Sequence, residues 1–586
     1  MEAGVLVGEK GAYRPGLRID EIRIPSTVQN VVADRIDRLP AEEKHLLQTA
    51  AVIGVTVPFD LLQAVSELPE DSLFQYLAHL KSAEFIYETN LFPKLEYRFK
   101  HALTTEVAYS ALIRERRNYL HSKIVTVLEK SAVKNLRDHV ETLAHHALCG
   151  EIWDKAVLYL REAGTKALSR SSFRNAVLHF ERALEALRHL PESPDNVRQG
   201  IDLRIEIRSA LFVFNEFKRG LEFLEEAIEA AKALDDHERL GKLLTFMTAH
   251  WNLAGNSEQA VITGKQALRY IVAQRNIDSN VVAHNWLGVA YHNLGQFEPS
   301  IDELNKALSL IPEARNAEFF GTNGIVSVNC KAWLIRSLAQ IGNFRETLRH
   351  GEEAIQTATE RDYPLSVVFA YFAVGVVALI QGELEQAIVA LEHGLKVCEA
   401  AEIPVQRPQI VSGLAASYAF VGRFDEALRL LESTTDRSAW MTGAGSGQMP
   451  LGRAMGMVWE VETYMLAGRH SEAEALARRA LAVLADSKHR GSEAWLRYLL
   501  GDLLARHHPV DLMHAEVSYK EASTLAQELG MRPVQAHCCL GLGRVRARLN
   551  DVEKARSELL AAAELYRLMS MPFWLSKAEA ALAELS

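Results

Sequence analysis

The sequence predicts an all-α protein built as a superhelix of tandem helix pairs, with a small module of different construction at its front. Three observations support this prediction: a recurring pattern of small and apolar residues at helical spacing, turn residues at near-regular intervals, and the composition of a folded chain. At 586 residues the chain exceeds the size at which one hydrophobic core usually stops growing. Its composition, 48% hydrophobic and 24% charged, argues against disorder.

The repeat pattern is clearest in residues 284–312, which read Leu287, Gly288, Tyr291, Gly295, Phe297, Ser300, Leu304, Ala307, Leu308 and Pro312. This resembles the tetratricopeptide pattern, in which a small residue marks a helix crossing and a turn glycine precedes a second helix. Small and apolar residues recur on that second helix at offsets of three, four and seven. Because such offsets share one helical face, they form a stripe that lets two backbones approach closely.

The turn residues of successive copies are spaced 40 to 47 residues apart and are Asn215, Gly255, Gly295, Gly342, Gly382, Gly422 and Gly468. A standard tetratricopeptide unit has about 34 residues, so helices or loops must be longer here. Loop-like stretches at 312–324 and 441–452 account for the two longest spacings. Residues 131–586 are therefore predicted to form a tetratricopeptide-like solenoid with a C-terminal capping helix, because one helix pair cannot bury its apolar face alone.

Residues 25–130 do not follow the repeat. Four helix-like patterns are followed by an apparent hairpin of residues 85–88 and 97–101, an order that predicts a winged-helix module. The expected recognition helix, residues 59–68, has two acidic residues and no Lys or Arg, whereas helices that read the major groove need cationic and amide side chains. The net charge of -10 also disfavours phosphate binding, so we expect a packing or regulatory module and no nucleic-acid partner.

Residues 24–54 and 95–121 resemble the winged-helix part of bacterial signal-transducing ATPases of the STAND type. More narrowly, they are similar to multidomain adenylate/guanylate cyclase-like proteins, and residues 525–545 and 570–585 resemble the end of that family. The resemblance covers nearly the whole chain. It implies an order of cyclase domain, P-loop ATPase, winged helix and tetratricopeptide-like repeats, so residues 1–24 are interpreted as a remnant of the ATPase domain.

The chain departs from that family where a phosphate-binding loop is expected. The run from Gly4 to Lys10 is one residue short, lacks Ser or Thr after its lysine and precedes no predicted helix. A P-loop needs its amide groups at a helix start. The glycine-rich 443–447 has no lysine and is interpreted as a linker. The metal-binding aspartates of a cyclase have no recognisable counterpart, which leaves a split partner, a truncated product or a decayed relative.

No complete catalytic motif is recognisable, so the chain is predicted to be no enzyme and to hold no cofactor. His145, His146 and Cys149 lack the further ligands of a zinc site and are interpreted as structural or solvated. Scattered cysteines and the lack of an apolar signal core predict a cytoplasmic protein. The apolar stretch Leu365–Ile380 is shorter than the roughly 20 residues of a membrane span and is interpreted as a buried repeat helix.

His101 is a candidate nucleotide-sensing residue by resemblance alone. In STAND proteins a winged-helix histidine can contact the nucleotide phosphate and help to hold the closed state, and the segment 99–103 matches that position. The alternative is a structural residue at the end of a strand. Without a nucleotide domain in this chain, His101 would act on a separate ATPase chain.

The tetratricopeptide register predicts a partner-binding groove on the concave face. It places there Asn285, His292, Asn293 and Arg336 of the middle repeats, then Phe369, Phe372, Val376, Leu379, Phe420 and Met465 of the next ones. A polar stretch that leads into an apolar one suits a peptide or an amphipathic helix. The alternative is that long helices bury these groups between neighbours.

Three functions remain compatible with the sequence. The leading hypothesis is a non-enzymatic signalling scaffold whose solenoid binds a protein or peptide and whose winged helix relays to a nucleotide-switch domain. The second is the regulatory C-terminal part of an ATP-dependent cyclase that acts with a separate upstream P-loop chain. The third, a small-molecule-gated transcriptional activator, needs a DNA-binding domain that we do not find.

Overall fold

A computed structural model describes residues 6–7, 14–15, 26–90, 95–131, 136–170, 172–211, 216–274, 276–403, 406–433, 453–506 and 511–585. These residues form 28 α-helices and five short strands. The chain divides into two compact units, residues 1–223 and 224–586. The predicted all-α class and the helical-repeat construction are confirmed. Most of the predicted remnant at 1–24, the predicted turn residue Asn215 and the segment 441–452 lie outside the described residues.

The first unit combines a helix-and-strand module with the first helix pairs. Its elements are β1 (Leu6–Val7), β2 (Arg14–Pro15), α1 (Ser26–Asp37), α2 (Ala41–Ile53), β3 (Thr56–Pro58), α3 (Phe59–Ser66), α4 (Glu70–Ser82), β4 (Ile86–Asn90), β5 (Glu96–Phe99), α5 (Ala102–Ser110), α6 (Arg114–Ser131), α7 (Val140–Cys149), α8 (Trp153–Ser169), α9 (Phe173–Leu187) and α10 (Pro194–Leu211).

The predicted hairpin is present and belongs to a three-stranded antiparallel sheet of order β3-β5-β4. Strand β3 was not predicted, because three residues that include Pro58 are too few to show an alternating pattern. The predicted recognition helix at 59–68 needs a correction: α4, not α3, directly precedes the hairpin. Helix α4 opens with Glu70 and Asp71 but carries His79 and Lys81 in its last turn, so the lack of cationic side chains at 59–68 does not extend to it.

The module and the first repeat helices share one hydrophobic core. Val52 of α2 and Val65 of α3 belong to the same buried cluster as Leu120 and Ile124 of α6. Helix α6 runs through residue 130, where the sequence suggested a domain boundary. The compact unit continues to residue 223, so this core joins the module to the start of the solenoid.

The second unit consists of helix pairs. Its helices are α11 (Phe217–Ala233), which begins in the first unit, α12 (His237–Leu253), α13 (Ser257–Gln274), α14 (Ile277–Asn293), α15 (Phe297–Leu310), α16 (Val326–Gln340), α17 (Phe344–Glu360), α18 (Pro364–Gln381), α19 (Leu384–Ala400), α20 (Arg407–Phe420), α21 (Phe424–Glu432), α22 (Arg453–Leu466), α23 (His470–Ser487), α24 (Arg490–Arg506), α25 (Leu512–Glu528), α26 (Arg532–Arg548), α27 (Val552–Leu568) and α28 (Pro572–Glu584).

Each predicted turn glycine lies between the two helices of a pair. Six of them have φ between +74° and +94°, a left-handed conformation that glycine adopts at little cost: Gly255, Gly295, Gly342, Gly382, Gly422 and Gly468. The predicted close crossings are also present. A Cβ atom on Gly288 would lie 2.7 Å from the Leu304 side chain, and one on Gly375 would lie 2.5 Å from Leu391.

The C-terminal repeats lie against the middle repeats of the same unit. The indole N–H of Trp495 donates to Gln340 Oε1 at 2.9 Å, and Arg532 Nε donates to the carbonyl of Ile341 at 2.6 Å. Gln381 Nε2 donates to the carbonyl of Ser570 at 3.0 Å. These contacts join positions more than 150 residues apart, so the inner face of the middle repeats is covered by the chain's own C-terminal part.

Helix α18 is long and apolar enough to cross a membrane by length and composition. In this structure most of its side chains are buried, and Phe372 and Val376 are only 2% exposed within the core of the second unit. It is also the first helix of the pair that turns at Gly382. These contacts agree with the interpretation of this stretch as a repeat helix.

Candidate functional site

The ten predicted groove residues do not form an open groove in this structure. Phe372, Val376, Leu379 and Met465 are at most 4% exposed. Asn285 is also buried, and its Oδ1 accepts a hydrogen bond from the Cys330 thiol at 3.3 Å. Burial between neighbouring helices, the alternative that the sequence left open, describes these five side chains.

Six of the ten line two small internal cavities. The first, of about 40 Å³, is lined by His292, Asn293, Phe297, Arg336, Gln340, Val376, Ala454, Met455, His489, Gly491 and Ser492. The second, of about 20 Å³, is lined by Leu379, Ile380, Phe420, Met455, Val458, Trp459, Glu462, Trp495, Tyr498, His537 and Trp574. Met455 lines both, so the cavities adjoin. Asn285, Phe369, Phe372 and Met465 line neither.

The cavities are completed by residues that the sequence did not single out. His489, Ser492 and Trp495 come from α24 and the turn before it, and His537 and Trp574 come from α26 and α28. They meet the predicted residues only because the C-terminal repeats cover the middle ones. No local pattern in the sequence indicates that contact.

Arg336 is the charged group of the first cavity. Its side chain is 6% exposed, and its guanidinium carbon lies 3.9 Å from the ring centroid of Trp333 and 5.4 Å from that of Phe372. It makes no hydrogen bond or ion pair with a residue that the structure describes. Burial lowers the pKa of Arg336 to about 9, so the guanidinium stays charged at neutral pH.

His292 contacts a buried pair of hydroxyl groups, those of Ser337 and Ser300. Its Nδ1 lies 2.8 Å from the hydroxyl of Ser337, and that hydroxyl lies 3.0 Å from the carbonyl oxygen of Trp333. The same hydroxyl also lies 3.0 Å from the hydroxyl of Ser300, so its single proton has three possible acceptors. Burial, followed by the charge of Arg336, holds the pKa of His292 well below its ordinary value, so the ring is neutral.

Two further polar groups of the first cavity have no partner among the described residues. One is the amide nitrogen Nδ2 of Asn293, and the other is Nε2 of His489, whose side chain is 4% exposed. The other ring nitrogen of His489 donates to the backbone carbonyl of Asn293. Because burial lowers the pKa of His489 to about 4, the ring is neutral and Nε2 is a hydrogen-bond acceptor.

The second cavity is mainly aromatic. The rings of Phe420 and Trp574 meet edge to face at 5.6 Å, and the ammonium of Lys577 lies 4.7 Å from the Trp574 ring. Burial, and then the charge of Asp502, raise the pKa of Glu462 to about 8. The carboxyl of Glu462 is therefore mostly protonated at neutral pH, and the cavity suits an apolar group.

His101 lies in the first unit, between β5 and α5. Its side chain is exposed, and its backbone carbonyl accepts from the amide of Thr104 at 3.0 Å. It makes no side-chain hydrogen bond with a described residue. The side chain is therefore accessible to a group on another molecule.

His145, His146 and Cys149 do not converge on a common point. His146 is 2% exposed, and its Nδ1 lies 2.8 Å from Nδ1 of His121, whereas Cys149 lies 3.9 Å from the ring of His145. Within the described ranges, no three His, Cys, Asp or Glu side chains are grouped to hold a metal ion. The buried thiol of Cys538 has its pKa raised well above the ordinary value, which disfavours a reactive thiolate.

A family model for the tetratricopeptide repeat matches residues 281–313, which comprise most of α14, the turn at Gly295 and α15. An uncharacterized protein of Rhizobium meliloti (strain 1021) is 28% identical over 188 residues, which are 30% of this chain and 18% of that protein. The matched part thus spans less than a fifth of the relative.

Several solved structures are similar in helical construction. The Rap protein complexed with competence and sporulation factor shares 13% identity, with 64% of this chain and 99% of that chain covered and a TM-score of 0.49. The STAND protein with a tetratricopeptide repeat sensor from Pyrococcus horikoshii shares 14% identity, with coverages of 96% and 67% and a TM-score of 0.31. At these identities and TM-scores, the likeness says nothing about what this chain binds.

Proposed function

We propose that this chain is a non-enzymatic cytoplasmic signalling scaffold. The repeats of the second unit bind a protein or peptide at their inner face, and the winged-helix module of the first unit relays binding to a nucleotide-switch domain. One observation carries the proposal: the inner face holds two adjoining cavities, one polar with partnerless donors and acceptors and one aromatic. Such pairs of surfaces bind the backbone and the apolar anchor of a peptide.

The scaffold has contacts that ligand binding can alter. Hydrogen bonds such as Trp495 to Gln340 and Gln381 to Ser570 join the C-terminal repeats to the middle ones next to the cavities. Each such bond contributes about 1 kcal/mol, so binding energy of a few kcal/mol is enough to open or tighten this contact. A change of that kind is the signal that a repeat scaffold can transmit.

A synthetic peptide library with free and blocked ends tests the binding proposal. We expect the purified full chain to enrich defined peptides, and we expect Val376→Trp, which fills the first cavity, to abolish their enrichment. Affinity is then measured by calorimetry on the enriched peptides. Val389→Trp, at an exposed position of α19, is the matched control and should enrich the same peptides. Equal enrichment by the wild type and Val376→Trp would contradict the proposed site.

The regulatory part of an ATP-dependent cyclase is the second candidate. Two observations favour it: the exposed His101 after β5 has no side-chain hydrogen bond within the described ranges, and the Rhizobium meliloti relative is far longer than the part matched here. In this version the relay acts on an ATPase encoded on a separate upstream chain. His101 would then contact the nucleotide phosphate across the interface between the two chains.

ATP titration by calorimetry separates the two candidates. We expect no ATP binding by this chain alone, and binding by its mixture with an upstream-encoded ATPase fragment that His101→Ala weakens by about tenfold, the loss of one charge-assisted hydrogen bond. His79→Ala, an exposed histidine on α4, is the control and should leave binding unchanged. Equal binding with and without this chain would remove the cyclase version and leave the free-standing scaffold.

A further inference from the structure

The guanidinium of Arg336 is buried without an anionic partner among the described residues. Burying an unpaired charge costs several kcal/mol, and buried arginines normally face a carboxylate. Arg423, a more exposed arginine of the same unit, pairs with Glu426. The rings of Trp333 and Phe372 stabilise the cation, but stacking leaves the N–H groups at the guanidinium edge unbonded.

The first cavity offers one more donor and one acceptor. Among the described residues, Asn293 Nδ2 is a buried donor without a partner and His489 Nε2 is a buried acceptor without one. A carboxylate satisfies the guanidinium and the amide donor together, since it accepts several hydrogen bonds. The acceptor on His489 requires an N–H or O–H group next to that carboxylate.

The adjoining cavity specifies the rest of the ligand. Val376 lines the first cavity and Leu379, one turn along α18, lines the second, while Met455 contacts both. An apolar side chain a few bonds away from the carboxylate therefore reaches the second cavity. With volumes of about 40 and 20 Å³, the two cavities hold a few water-sized groups as they stand, so a residue-sized ligand enters only when the contact between the C-terminal and middle repeats widens.

We infer that the inner cavities bind the C-terminal residue of a peptide, with its carboxylate on Arg336 and Asn293, its amide N–H on His489 and its aliphatic side chain in the second cavity. The inference rests on the proposed function and names the part of the partner that is recognised. A free N-acyl amino acid offers the same chemistry as a peptide terminus. Inorganic anions lack the apolar group, and an internal peptide segment lacks the carboxylate.

Calorimetry with N-acetyl-leucine tests the inference on the full chain. We expect N-acetyl-leucine to bind and N-acetyl-leucinamide, in which the carboxylate is replaced, to bind about 10- to 100-fold more weakly, because a charge-assisted bidentate contact is lost. A decapeptide that ends in leucine, free or amidated, forms the second arm. Tighter binding of the free decapeptide than of N-acetyl-leucine assigns the site to peptides, and equal binding assigns it to small N-acyl amino acids.

Variants of Arg336 give an independent readout. Arg336→Met should abolish acid binding, and Arg336→Lys, which keeps the charge but not the planar fork, should weaken it about tenfold. The matched control is Arg423→Met, which removes a guanidinium 3.8 Å from the Tyr418 ring at an exposed, ion-paired position and should leave binding unchanged. If the buried charge serves a ligand, Arg336→Met should also unfold at a urea concentration equal to or higher than that of the wild type.

The outcomes separate the inference from the proposed function. Equal binding of N-acetyl-leucine and its amide, or unchanged binding by Arg336→Met, would overturn the inference. If peptides from the library still depend on the first cavity in that case, the scaffold proposal stands and only the terminus assignment fails. If no peptide and no acid binds, both fail.

Discussion

Gly541→Ala should destabilise the second unit by about 2 kcal/mol, although alanine is the better helix former. Gly541 lies inside α26, and a Cβ atom there would overlap the ring of Tyr519, whose side chain is 1% exposed. Overpacking of a tight core costs about 3 kcal/mol, and the higher helix propensity of alanine offsets about 1 kcal/mol.

The Tyr519 ring cannot move aside to make room. On its other side lies Gly501, where a Cβ atom would sit 2.8 Å from the same ring, and the tyrosine hydroxyl donates to Asp502. Movement towards Gly501 would also break that buried hydrogen bond. The substitution therefore has to shift backbone in one of two helices.

Gly413→Ala is the matched control for this prediction. Gly413 lies inside α20, where the nearest side-chain atoms would be 3.6 Å from a new Cβ, an ordinary contact distance. We expect this variant to be more stable by up to about 1 kcal/mol. Urea unfolding followed by tryptophan fluorescence measures both, because seven of the eight tryptophans lie beyond residue 223. Equal unfolding midpoints for the two variants would show that the Tyr519 crossing is not tight.

The pair of His121 and His146 should make the first unit labile to acid. The two Nδ1 atoms are 2.8 Å apart, so one ring donates and the other accepts, and both cannot be protonated at once. Burial, and then the charge of neighbouring His145, lower the pKa of His121 to about 4. Burial, and then the charge of His121, lower that of His146 to about 3.

The direction of this pH dependence of stability follows from proton linkage. The unfolded chain, with histidine pKa values near 6.5, binds more protons than the folded chain at every pH between there and the lowered values. The contribution of the pair is complete above about pH 6.5 and is lost progressively as the pH falls from there towards the lowered pKa values of about 4 and about 3. By pH 5 each ring costs about 2 kcal/mol, at 1.4 kcal/mol for each pH unit.

Hydrogen exchange on the full chain measures this loss locally. After correction for the intrinsic pH dependence of exchange, amides of residues 114–149 should lose protection between pH 7.5 and pH 5. His146→Gln, which keeps a hydrogen-bonding group but does not titrate in this range, should lose about 2 kcal/mol less. His139→Gln, at an exposed histidine just before α7, is the control. The same acid sensitivity in the wild type and His146→Gln would contradict the assignment.

Local rules in the sequence determined the helix pairs and their turns. Glycine at Gly255, Gly295 or Gly382 signals a left-handed turn because other residues pay to adopt it. Small residues such as Gly288 and Gly375 signal a helix crossing because only they admit a Leu side chain there. Such signals act within about 40 residues, so they can be recognised without a structure.

The site was predicted in part for the same reason. The repeat register placed His292, Asn293, Arg336 and Val376 on one face of α14, α16 and α18, and all four line the first cavity. The register cannot say whether that face is open, however. It therefore suggested a groove where the structure has small cavities covered by the C-terminal repeats.

Tertiary structure alone decided what covers that face. His489, His537 and Trp574 reach the cavities because small per-repeat rotations bring the last repeats against the middle ones. Those rotations add up over many helix crossings, and the side chains at any one crossing determine only a small part of the total rotation. The sequence by itself therefore determined the repeat unit and its inner face, and the accumulated curvature of the solenoid determined that this face closes around Arg336, an arginine without an ion-pair partner in the described part of the chain.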